Sequence, residues 1–138
     1  MAMLNPRVGV FLCRCNGQSE DKFDIDEVAE EVARLRNVKH VEVENCMCTE
    51  RVTLEIQKAI DASELDSVVI GGCVDKIDLK DLRQSLVHKI REPRGISVVD
   101  LLGPSLHAHG ESYEDATRFA CQAVCDAVSE AGLVVVKA

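Results

Sequence analysis

The chain has 138 residues, 46 % of them hydrophobic and 29 % charged, with a net charge of −8. That length suits one domain over residues 1–138, and that composition excludes a disordered chain. No apolar run reaches the roughly 18 residues needed to cross a bilayer, and the opening MAMLNPR lacks the basic-then-apolar pattern of a secretory signal, so a soluble, cytoplasmic protein without a membrane partner is expected.

An acidic surface also argues against a nucleic-acid partner, because phosphate backbones attract basic grooves. The one basic cluster, Lys89, Arg91 and Arg94, is interrupted by Glu92 and Pro93 and reads as a solvated helix end. Aromatic residues are 3 % of the chain and Trp is absent, which makes the expected core aliphatic.

Along the chain, strand-like and helical patterns alternate. Residues 7–13 (RVGVFLC) form a β-rich run. Residues 24–37 follow with Ile25, Val28, Ala29, Val32 and Leu35 at helical spacing, and Asp24 with Glu27 makes a capping box. Residues 38–44 carry Val38, Val41 and Val43 among polar neighbours and read as a half-buried strand. A second helix is expected over 50–62, a buried central strand over 67–73, a third helix over 78–90 and a fourth strand over 96–102. The longest helical stretch is 113–131. The tail LVVVKA (133–138) reads as an edge strand or as the start of a continuing chain.

The order β-α-β-α-β-α-β-α implies parallel strands joined by crossovers, with helices on both faces of the sheet. The expected fold is a flavodoxin-like, three-layer α/β domain built on a four-stranded, mostly parallel sheet. No internal repeat or linker interrupts it.

Seven cysteines are the unusual feature, and their odd number without an export signal points to reduced thiols and to metal or redox chemistry. Cys13 and Cys15 end the first strand, Cys46 and Cys48 follow the second, and Cys73 closes the third. In a parallel α/β sheet those strand ends share one rim, which is where such folds bind ligands. Free cysteines also pack as small hydrophobes, but ordinary core residues would not gather at the carboxyl ends of consecutive strands. Structural zinc sites favour C-x₂₋₄-C knuckles and very small domains, and dithiol enzymes favour C-x-x-C at a helix start. Iron–sulfur clusters accept thiolates from separate loops. The spacing therefore favours a cluster without fixing its type, and leaves a zinc-binding module, or a thiol–disulfide protein using Cys13 and Cys15, as alternatives.

The segments VGVFLCRCNG (8–17), CMCTERV (46–52) and VVIGGCVDK (68–76) resemble the N-terminal domain of the A subunit of heterodisulfide reductase. A more distant likeness, through CMCTERV and GGC, runs to the iron–sulfur delta subunit of methyl-viologen-reducing hydrogenase. The resemblance implies one [4Fe-4S] cluster (with [2Fe-2S] or zinc as alternatives) held by Cys13, Cys15, Cys48 and Cys73, with Cys46 a neighbour or an alternative to Cys48. It further implies a single-electron relay, not catalytic alone, whose partners are a flavoprotein or iron–sulfur subunits of an oxidoreductase complex. The chain departs from the family pattern at Val74, Asp75 and Lys76, and lacks a further cysteine near 103–109. No G-x-G-x-x-G occurs, so no FAD is expected in this chain.

Added electrons need stabilising charge nearby, for which Arg14, Arg51 and Lys76 are candidates. Cys121 and Cys125 lie four apart on the last helix; that spacing could bring two thiols to one metal, but their apolar neighbours favour packing. His107 and His109 read as a polar loop, and no nucleophile elbow or hydrolytic triad occurs.

Overall fold

The computed structural model describes residues 7–14, 23–44, 50–72, 84, 96–101 and 113–136, with backbone alone at 50–52 and 131–136. Four strands, β1 (Val8–Cys13), β2 (Val38–Glu44), β3 (Ser67–Gly72) and β4 (Ile96–Asp100), form one sheet in the order β2-β1-β3-β4. All three pairings are parallel. The helices whose bounds fall among the described residues are α1 (Ile25–Ala33), α2 (Glu50–Ser63) and α3 (Tyr113–Val136).

Parallel strands buried on both faces need unbroken apolar runs, and β1 and β3 are buried at every position. Val8, Val10 and Leu12 face one aliphatic layer, shared with Ile25, Val28 and Val32 of α1 and Ala120, Val124 and Val128 of α3. Phe11 and Cys13 face the opposite layer, with Ile56, Ala59 and Ile60 of α2. Two helices on one face and one on the other make a three-layer, flavodoxin-like α/β fold, as expected. Gly71 lets that first layer close: a Cβ there would stand 2.9 Å from both Leu12 and Leu101.

Strand β2 carries its valines at 38, 41 and 43, a spacing that breaks strict alternation. The register supplies the reason. Val8 pairs with Val38 but Gly9 with His40, so Lys39 is the extra residue of a bulge, which brings Val38, Val41 and Val43 to one side. All three pack with the α1–α3 layer.

Several details differ from expectation, the end of β4 at Asp100 rather than 102 among them. Helix α1 stops at Ala33 although apolar spacing runs on to Leu35, because Arg34 N–H and Leu35 N–H reach back only three residues, to Glu31 O and Val32 O. That tightened last turn keeps Leu35 against the core while ending the helix. The capping box is half formed. Asp24 accepts from Glu27 N–H at 3.1 Å, but its own N–H donates to Thr117 Oγ1 of α3 at 2.8 Å rather than to Glu27. Finally, 131–136 continue α3, so the edge-strand reading of the tail is corrected. Propagating an established helix needs no new nucleus and outweighs the small propensity cost of valine.

The expected helix over 78–90 lies outside the described residues, apart from Gln84, which is helical. No helix among the described residues is long and apolar enough to cross a membrane.

Helix α2 ends on Glu64 at φ 52°, with Leu65 N–H donating to Ile60 O at 3.1 Å. This left-handed cap suits glycine, since a side chain there costs about 1–2 kcal/mol. Glu64→Gly is expected to raise unfolding stability by about 1 kcal/mol, read as a higher urea midpoint at unchanged slope.

Candidate functional site

The carboxyl ends of β2, β1 and β3 stand side by side. Cys13, the last residue of β1, pairs with Glu44, the last of β2, and Leu12 pairs with Gly71, one residue from the end of β3. Neighbouring strands run about 4.8 Å apart, so these ends span a rim about 10 Å wide. The chain leaves β1 for α1 on one face, and α2 covers the other face, so β1 and β3 flank the point where connections diverge. That is the ligand-binding position of open α/β sheets.

Cys13 sits at this rim and is 5 % exposed, with its side chain in the aliphatic layer beneath α2. Cys15, Cys46, Cys48 and Cys73, with Lys76, His107 and His109, lie outside the described residues, as does the Arg51 side chain. In sequence, Cys15 is two residues beyond Cys13, Cys46 two beyond Glu44, and Cys73 directly follows Gly72. Cys13 is therefore a buried thiol at the rim, of the residue type that holds iron–sulfur clusters.

Arg14 follows Cys13 but turns to the α1 face. Its guanidinium donates to Asp26 at 2.8 Å, and its N–H donates to Glu44 O at 2.8 Å. The carboxylate of Asp26 therefore offsets the charge that the sequence offered to the rim.

A polar row on β2 escaped sequence analysis. His40, Glu42 and Glu44 register with Gly9, Phe11 and Cys13, so they run along the α2 face toward the rim. His40 Nε2 lies 3.0 Å from Glu42 Oε1, and its ring is 5.4 Å from that of Phe11. A hydrogen bond with the Glu44 side chain holds Glu42 below the ordinary carboxylate range, with burial opposing and His40 assisting. The alternation of charged even positions and apolar odd ones in 40–44 was the available signal.

A second feature lies between α1 and α3. A groove of about 530 Å³ runs there, with Asp24, Glu27, Glu31 and Glu114 outnumbering Arg118, and with Cys121 on its wall. Cys121 and Cys125 are half-buried and pack against the aliphatic layer, as their neighbours suggested. Burial pushes the Cys121 thiol up to about 11, with Cys125, Glu27, Glu31 and Asp24 adding to it. Burial likewise raises Cys125, with Asp126 and Glu31 contributing.

The folded chain thus holds the Cys121 proton more tightly than an unfolded one. This contribution to stability is complete below pH 9.0 and is lost as pH rises through about 11. Because the thiolate is the nucleophile, iodoacetamide is expected to leave Cys121 and Cys125 unmodified at neutral pH and to label Cys121 faster as pH approaches 11. Mass spectrometry of the α3 peptide reads this, and rapid labelling at pH 7 would contradict it.

No family model matches the chain. It is 28% identical over 128 residues to the iron-sulfur A subunit of the CoB--CoM heterodisulfide reductase of Methanocaldococcus jannaschii, an alignment that covers 93% of this chain and 20% of that protein. It is 28% identical over 129 residues to the A subunit of the H(2)/formate:CoB-CoM heterodisulfide,ferredoxin reductase of Methanococcus maripaludis, with 94% and 20% covered. A protein of Archaeoglobus profundus described as like the heterodisulfide reductase A subunit is 25% identical over 139 residues, with 97% and 19% covered. The chain thus spans about a fifth of the length of these relatives and is similar to them along nearly all of its own, in agreement with the resemblance seen in its motifs.

Proposed function

We propose that this chain is an iron–sulfur electron-transfer domain of a heterodisulfide-reductase-like complex, relaying single electrons through one [4Fe-4S] cluster held by Cys13, Cys15, Cys48 and Cys73. The observation that carries this reading is the parallel alignment of β2, β1 and β3, whose three adjacent ends each lead directly into cysteines. Consecutive Cα atoms are 3.8 Å apart, so cysteines one, two and four residues beyond those ends are within reach of a common centre on a rim about 10 Å wide. The similarity to subunits whose names include an iron–sulfur description supports the same assignment.

When bound, the cluster supplies a one-electron couple. The protein's part is to hold and shield it. Cys13 contributes a thiolate from a buried strand end, and the α2 layer keeps water from that side. Helices α1 and α2 follow β1 and β2, so their N-termini lie toward the rim, where the positive end of a helix favours added negative charge, although Asp26 and Glu27 in the first turn of α1 work against it. Cys46, two residues before Cys48, is a neighbour of the ligand set or its alternative at that place. The partners, on this reading, are a flavoprotein or iron–sulfur subunits that dock at the cysteine rim in the cytoplasm.

Anaerobically purified protein tests the proposal. Brown protein with about four iron and four sulfide per chain, bleached by dithionite, is expected for this cluster type. Colourless protein holding stoichiometric zinc, or metal-free protein with a reactive low-pKa thiol at Cys13 or Cys15, would overturn it.

A further inference from the structure

We propose that Asp26 is a positioning residue for electron transfer at the rim: by holding the Arg14 guanidinium on the α1 side, it keeps the reduction potential of the centre low. This inference rests on Cys13 and Cys15 being cluster ligands, since Arg14 is the residue between them.

Two bonds fix Arg14. Its N–H donates to Glu44 O at the end of β2, so its backbone is tied to the rim at 2.8 Å. Its guanidinium donates to Asp26 Oδ1, also at 2.8 Å, in the first turn of α1. The backbone bond survives any change at Asp26, whereas the place of the positive charge depends on that carboxylate. Asp24, Glu27 and Glu31 line the groove against α3 instead, so the acids of α1 divide between two tasks.

Exposure separates the roles of the partners. The Arg14 side chain is 24 % exposed and the Asp26 side chain 69 %. A largely covered cation is screened less by water and salt than an exposed carboxylate, so the direct influence of Asp26 on the rim is the weaker of the two. An exposed ion pair also adds little to folding stability. What Asp26 does control is where the Arg14 charge lies and how far it is offset.

A centre held by thiolates is anionic, and reduction by one electron adds a further negative charge. A cation nearby favours that reduced form. Without Asp26 the Arg14 charge is no longer offset, and the anionic centre between its two neighbouring cysteines becomes the stronger attraction. The reduced form then gains, and the midpoint potential rises.

The test uses the whole chain, anaerobically loaded with its cluster, in an equilibrium titration against redox dyes, with iron and sulfide counted on the same sample. Asp26→Ala is expected to raise the reduced-to-oxidised ratio at a fixed solution potential about threefold, a midpoint shift of about 30 mV for one electron. Introduced into Arg14→Gln, the same substitution should give a smaller shift, because only the screened charge of the carboxylate is then lost. Asp26→Glu should restore the value of the unsubstituted chain. The urea midpoint is expected to change little, since the pair is at the surface and alanine suits a helix. No shift in Asp26→Ala, or equal shifts with and without Arg14, would overturn the inference and leave the cluster assignment standing. A chain that takes up no iron would overturn both.

Discussion

Replacing Cys13 by alanine is expected to strip the chain of more than about half its iron and sulfide after anaerobic reconstitution, with loss of the dithionite-sensitive absorption. The thiol is buried at the end of β1, an inner strand of the sheet. It packs in an aliphatic layer and the change removes a single heavy atom, so the fold should lose no more than about 1–2 kcal/mol. Loss of metal and loss of structure are thereby separable. Cys121→Ala is the control, since that thiol lies across the sheet, and it should keep its full iron. Full iron in Cys13→Ala, or depleted iron in Cys121→Ala, would contradict the ligand assignment.

The largest stability effect is expected at Phe11. Its ring is fully buried in the α2 layer, against Ile56, Ile60, Leu65, Val68 and Ile70. In a chain with three phenylalanines and no tryptophan, few other side chains fill comparable volume. Removing a buried phenyl ring costs about 3–5 kcal/mol, a large share of the roughly 5–15 kcal/mol that separates folded from unfolded domains. Phe11→Ala should therefore lower the urea midpoint steeply. It also shares its layer with Cys13 and its ring contact with His40, so metal retention should weaken even where the variant is folded. A loss below about 1 kcal/mol would mean that the α2 layer collapses onto the gap more readily than close-packed cores usually do.

Much of this architecture is legible in the sequence because burial writes period into it. The unbroken runs at Val8–Cys13 and Ser67–Gly72 mark strands covered on both faces, and both are. Val28 and Val32 mark the inward stripe of α1. Less legible are features set by contacts between distant segments. The missing half of the capping box depends on Thr117, 93 residues away, whose hydroxyl takes the N–H that Glu27 was expected to cap. The bulge at Lys39 appears only when β2 is laid against β1. The groove beside Cys121 arises where α1 meets α3, and nothing in either helix alone announces it.

The candidate site divides the same way. Its cysteines are visible in the sequence, and parallel pairing aligns the strand ends that lead to them. The Arg14 charge is visible too, but its use is not, because Asp26 engages it from the first turn of α1.

On this proposal, thiols from three neighbouring strand ends share one inorganic centre. Diffraction at the iron absorption edge, from crystals grown without oxygen, measures this directly. All anomalous iron density is expected in one place, bonded to Cys13 Sγ at the rim between β1 and β3. Iron density away from Cys13, or crystals of the intact chain with no iron, would contradict it.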